Sequence, residues 1–126
     1  MKNIFYILGS LFAFVGVALG AFGAHTLKET LSLEHLNVFE TAVRYQMYHA
    51  FALFLAGWAF QKYQHGLFPR AGWLFVAGIV LFSGSLYLLV LTGIRAFGVV
   101  TPVGGLSFLS GWLFLALAFW KTGKTK

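Results

Sequence analysis

The sequence predicts an all-α membrane protein: a compact antiparallel four-transmembrane-helix bundle with an outer amphipathic helix between spans 1 and 2. Three observations carry this. The 126 residues are 60% hydrophobic and only 10% charged, whereas a water-soluble domain carries about 25% charged residues to cover its surface. Three apolar runs, 4–24, 71–91 and 102–120, match the roughly 20 residues a helix needs to cross about 30 Å of hydrocarbon. The nine Lys and Arg lie singly between these runs or beyond the last one, where they serve lipid headgroups and topology. Residues 1–126 make one integral domain. A net charge of +6 that is not gathered on one face predicts no nucleic-acid partner. The absence of cysteine excludes disulfides, thiolate metal sites and thiol catalysis.

The first span, 4–24, follows Lys2 and holds a small-residue stretch, Ala18-Leu19-Gly20, that resembles a signal-peptide cleavage site. Its apolar run exceeds the roughly 7–15 residues of a signal-peptide core, so it reads as a span. The polar segment 25–41 follows. Ser32 suits an N-cap, and Glu34 in the next turn complements the helix dipole. Leu36, Phe39 and Val43 give that helix one apolar face, so it is expected to lie on the outer surface and bend into the second span.

The second span, 44–63, is the least apolar. Its uninterrupted portion would cover only about 16 Å at 1.5 Å per residue. The crossing must therefore recruit residues back to Arg44, which puts Gln46 and His49 within or just under one membrane interface. Polar side chains at that depth are expected to turn inward to partners. The third and fourth spans, 71–91 and 102–120, are joined by short loops, with Thr101 as N-cap and Pro102 as first residue of the last. Small residues at Gly16, Gly20 and Ala24, at Ser83-Gly84-Ser85, and at Gly104, Gly105, Ser107 and Gly111 let helix backbones approach closely in lipid. The serine hydroxyls are expected to bond back to their own helices.

Basic residues number six (Lys2, Lys62, Arg70, Lys121, Lys124, Lys126) on one side against three (Lys28, Arg44, Arg95) on the other, which predicts both termini cytoplasmic. Trp58, Trp73 and Trp120 fall near the inner ends of spans and suit an interfacial belt, whereas Trp112 sits deeper. No Arg-rich leader precedes the first span, so a bacterial cytoplasmic membrane is the expected location.

The chemistry concentrates in FETAVRYQMYHA, residues 39–50. Glu40, Arg44 and Tyr48 form one i, i+4 stripe, and Thr41, Tyr45 and His49 the adjacent one. Glu preceding Arg by four residues favours an ion pair. Arg44 also offers a partner for an anionic headgroup or small amphiphile. His25 is expected to approach His49 or Tyr45, making a shallow outward pocket walled by Gly20 and Gly23. The candidate ligand-binding residues are therefore His25, Glu40, Arg44, Tyr45, Gln46, Tyr48 and His49. The competing reading is a metal- or haem-dependent membrane enzyme using His25 and His49. His25, His35, His49, Glu29, Glu34 and Glu40 supply ligand types but no HExxH or comparable spacing. No serine is marked out as a nucleophile, and four short helices leave little room for a transport pathway. The preferred expectation is a non-enzymatic protein with no metal and no cofactor. Its partners would be membrane lipids, a partner membrane protein or a second copy of itself.

GAFGAH (20–25) with Leu27-Lys28, FETAVRYQMYHA, FSGSLY (82–87), and TPVGG (101–105) with Gly111-Trp112 are spread over essentially the whole chain. Together they resemble the domain of unknown function 423 family, small multi-pass membrane proteins of bacteria with eukaryotic relatives. The resemblance implies a four-span protein without an established activity. His25, Arg44, Tyr45, Gln46 and His49 match the family's polar motifs, which supply no role for them.

Overall fold

A computed structural model describes residues 3–124; Lys2 and Lys126, counted above for topology, lie outside the described residues. Four helical segments follow one another: α1 (Ile4–Leu27), α2 (Leu33–Tyr63), α3 (Leu67–Thr92) and α4 (Arg95–Gly123). No strand occurs among the described residues. By length and composition α1, α3 and α4 could each cross a membrane, but α2 does not reach that apolarity. It is the polar group at its N-terminal half that lowers it.

Segment 25–41 is not a separate surface helix. Leu33–Tyr63 is one continuous α-helix, which at 1.5 Å per residue is about 46 Å long. Ser32 caps it as expected, its hydroxyl accepting from the His35 N–H at 3.1 Å, with Glu34 in the first turn. Helix α2 ends at Gln64, a non-glycine residue with φ 57°, whose side-chain amide donates to the last carbonyls at Phe60 and Gln61. Helix α3 ends at Gly93, φ 73°. Thr101 does not cap the last helix: a 3₁₀ turn at Arg95–Val99 leads directly into Thr101–Gly123, with Pro102 in its first turn. The Thr101 hydroxyl is instead paired with that of Ser85 at 2.6 Å.

Two helices are interrupted by a single π turn. In α1 the Ala24 N–H bonds Leu19 O, and in α3 the Gly84 N–H bonds Ile79 O. Each widened turn resets the facing of the residues after it, and π turns often mark functional positions. Both face the same level of α2: a side chain at Gly20 or Gly23 would meet Val43 or Phe39, and the Ser83 hydroxyl donates to Ala42 O at 2.7 Å. The serines thus depart from the expected pattern. Ser83 and Ser107 (to Leu74 O, 2.7 Å) bond a neighbouring helix, while Ser85 also bonds its own. Such bonds tie helices together where lipid offers no partner.

Helix α1 packs chiefly on α2, α2 on α3, and α3 on α4, with Phe5, Leu53, Phe68, Phe75, Phe108 and Leu115 in the shared core. The backbones of α2 and α4 do not approach closely, so only large side chains bridge that seam. A cleft results there.

Candidate functional site

The polar residues of 39–50 divide by helix angle. Residues 46 and 49 fall on the side of α2 that faces its neighbours, and both are nearly closed off, Gln46 at 2% and His49 at 4% exposure. Glu40, Arg44, Tyr45 and Tyr48 are exposed. Interior polar groups need partners, and both have them.

Gln46 ties three helices. Its amide nitrogen donates to Phe12 O of α1 at 2.8 Å, and its oxygen accepts from the Tyr87 hydroxyl of α3 at 2.7 Å. Gly16 makes room for this, since a side chain there would run into Met47 and approach the Gln46 amide. His49 ties α2 to α4. Its Nδ1 lies 2.7 Å from Tyr45 O, and the Trp112 indole Nε1–H donates to its Nε2 at 3.0 Å. A carbonyl only accepts and an indole N–H only donates, so the imidazole is the neutral tautomer with its proton on Nδ1. The ring lies flat on Phe108, with centroids 3.6 Å apart and an 11° interplanar angle, and edge-on to Trp112 at 5.8 Å. Both ring nitrogens are thus engaged by protein groups.

His25 does not join this group. It is exposed near the end of α1, and among the described residues it shares no hydrogen bond or ring contact with His49 or Tyr45. The reason is angular: α1 packs on the Val43, Met47 and Ala50 side of α2, whereas His49 turns to Phe75, Phe108 and Trp112. No cluster of three or more metal-ligating side chains occurs among the described residues.

Glu40 and Arg44 also differ from expectation. They form no ion pair; Arg44 Nη2 donates to Thr41 Oγ1 at 3.3 Å instead. Both nevertheless rim a small cleft of about 240 Å³ floored by Gly20, Ala24, Phe39 and Val43. This cleft shares only Gly20 with the walls expected for the outward pocket, and His25, Tyr45, His49 and Gly23 are not in its lining. Because the two charges are exposed and unpaired, replacing Arg44 should not strand Glu40. A double-mutant cycle of Glu40→Gln and Arg44→Leu, read by unfolding in detergent, should give a coupling of about 0.5 kcal/mol or less.

On the other flank of α2, a cleft of about 580 Å³ opens between α2 and α4 and is walled by Tyr45, His49, Phe82, Phe108 and Trp112, among others. A groove of about 430 Å³ shares Phe82 with it and is lined by Glu34, Asn37, Thr41 and Thr101, among others. Trp112, Phe108, Phe82 and Tyr87 are not among the candidate binding residues expected from the sequence. The one available signal was Trp112, a tryptophan in mid-run that no interfacial belt explains.

The profile of the family described as "Protein of unknown function (DUF423)" matches residues 19–105. UPF0382 membrane protein SAB0533 of Staphylococcus aureus is 48% identical over 119 residues, covering 94% of this chain and 97% of its own. UPF0382 membrane protein YwdK of Bacillus subtilis is 46% identical over 117 residues, 92% of this chain and 95% of its own. UPF0382 membrane protein SH2409 of Staphylococcus haemolyticus is 47% identical over 119 residues, 94% and 97%. No solved structure matches the chain. With the profile spanning most of the chain and near-full-length relatives at this identity, the chain belongs to the DUF423 family and is a membrane protein of that family.

Proposed function

We propose that the chain is a four-span protein of the bacterial cytoplasmic membrane, with both termini cytoplasmic, that binds the anionic part of a lipid or small amphiphile at the outer end of α2 and catalyses nothing. For the second span, the support is the outward face of α2. From Tyr48 through Phe51 and Leu55 to Trp58 that face is exposed and apolar or aromatic, a stripe suited to lipid. Its interior polar groups are all bonded to neighbouring helices, as hydrocarbon requires. The basic end of the bundle supports the orientation. Lys62 lies over Trp58 at 5.1 Å and Lys124 over Trp120 at 3.7 Å, and Arg70 and Trp73 stand at the same end, a belt with positive charge as cytoplasmic faces carry.

The observation that carries the binding reading is Arg44. Its guanidinium rims a cleft with Glu40 at the outer end of α2 and donates to the neutral Thr41, which leaves its charge available to an anion. Native mass spectrometry of protein released from membranes tests this. Wild type should carry an anionic amphiphile that Arg44→Leu loses while remaining folded. Equal retention by both would refute the reading, as would stoichiometric metal or a Soret band lost in His49→Ala. A second copy or another membrane protein bound through Arg44 would replace lipid as the partner.

A further inference from the structure

We infer that the cleft between α2 and α4 is an acyl-chain site: one chain of a phospholipid lies against Tyr45, Phe82, Phe108 and Trp112, and its phosphate reaches Thr41 and Arg44. This rests on the reading of Arg44 given above and goes beyond it by naming a second part of the site and the class of occupant.

The chemistry of the walls selects hydrocarbon. The volume of about 580 Å³ lies within the roughly 300–1,000 Å³ of small-molecule sites. Aromatic and aliphatic groups form nearly all of its surface. Its two nitrogen-bearing side chains already have protein partners, Trp112 Nε1–H on His49 Nε2 and His49 Nδ1–H on Tyr45 O. A polar occupant would find the Tyr45 hydroxyl at the rim and no further side-chain partner deeper in.

The position of the polar groups selects an amphiphile. The cleft and the outer groove share Phe82, and their walls are consecutive, Thr41 leading to Tyr45 along α2 and Thr101 to Pro102 along α4. An apolar floor thus runs out into a polar mouth. Arg44 lines the smaller cleft on the other flank of α2, and its guanidinium donates to Thr41, which lines the groove, so its charge borders that mouth from the side. Glu34 is seven residues before Thr41 on the same helix, about 10 Å farther out at 1.5 Å per residue. It disfavours a second anion there and favours a head with one phosphate and a hydroxyl or ammonium beyond it. The opening faces the bilayer in the four-span arrangement, so the occupant enters sideways from the lipid.

Gly105 gives the test. It lines the cleft, and a Cβ there would meet only Phe82 Cδ2, at 3.9 Å, so a large side chain at this position fills the cleft rather than the core. Binding of phosphatidylglycerol and of glycerol 3-phosphate, a phosphomonoester without acyl chains, would be measured on wild type, Gly105→Phe, Gly105→Ala and Arg44→Leu in detergent. Gly105→Phe should weaken phosphatidylglycerol by about tenfold or more and leave glycerol 3-phosphate unchanged. Gly105→Ala should bind both as wild type does, and Arg44→Leu should lose both. Leu109→Trp, which fills the cleft from an exposed position, should repeat the Gly105→Phe result and serves if that variant does not fold. Undiminished phosphatidylglycerol binding by a folded cleft-filled variant, with Arg44→Leu still defective, would overturn the acyl site and leave the Arg44 reading standing. Undiminished binding of both probes by Arg44→Leu would overturn the two together.

Discussion

His49→Ala is expected to cost about 3–5 kcal/mol of stability in detergent, the range for removing a large buried ring, and His49→Phe only about 1 kcal/mol. The difference separates two contributions. An interhelical hydrogen bond inside a membrane protein averages about 0.6 kcal/mol and rarely exceeds about 1.7 kcal/mol, so the Trp112–His49 bond cannot account for a large loss. The stacked ring can. It lies 3.6 Å from Phe108 and against Phe75, and it is what bridges a seam where the α2 and α4 backbones stay apart. Alanine leaves a void there, whose cost scales at about 24 cal/mol per Å³; phenylalanine refills it and forfeits only the two polar contacts. Equal losses in the two variants would show that the hydrogen bonds, not the packing, hold α2 to α4. Unfolding monitored by tryptophan emission reads both.

Gly104→Leu is expected to be as damaging, at about 3 kcal/mol or more, at the upper end of overpacking costs. A Cβ at residue 104 would clash with the Phe82 backbone nitrogen and press on Phe82 Cα and Leu81 C. Backbone in a helix cannot step aside as a flexible side chain can, so α3 and α4 must separate and lose the Ser107–Leu74 bond beside them. The neighbouring glycine is the control. At Gly105 the nearest atom is 3.9 Å away, ordinary contact, so Gly105→Ala should change stability by about 0.5 kcal/mol or less. Comparable losses at both positions would mean that α3 and α4 do not meet as closely as Gly104 indicates.

These two adjacent glycines show what was legible in the sequence and what was not. The apolar runs gave the helices α1, α3 and α4, because burial in lipid demands long uninterrupted hydrophobic stretches and little else satisfies that demand. Ser32 marked the start of α2 because a cap works through local chemistry. Gly104 and Gly105 are indistinguishable by composition, since which one meets a backbone depends on the rotation of two helices. The same limit applied to the polar cluster. Gln46 and His49 do turn inward, as expected of polar residues in an apolar run, but spacing along one helix could not name Tyr87, Phe12 or Trp112 as their partners. It also favoured a Glu40–Arg44 pair that the side chains do not make, and the expected approach of His25 to His49 or Tyr45 is prevented by the facing of α1. The π turns at Leu19–Gly23 and Ile79–Ser83 reset helix facing by one residue, and nothing in the hydrophobic pattern announces them. GAFGAH and FSGSLY overlap these turns.

In the proposed four-span arrangement α2 crosses the membrane although it is the least apolar of the four helices, so that Gln46 and His49 lie inside and Arg44 at the outer face. The chain has no cysteine, so single cysteines are unique labels. Thr30 lies in the exposed turn before α2 and Gly66 just after it, where a side chain would meet nothing within 4 Å. Intact cells producing Thr30→Cys or Gly66→Cys would be treated with a membrane-impermeant maleimide. The account predicts labelling of Thr30→Cys in intact cells, and of Gly66→Cys only after the membrane is opened. Labelling of both from the same side would contradict it, because α2 would then lie along the membrane instead of crossing it.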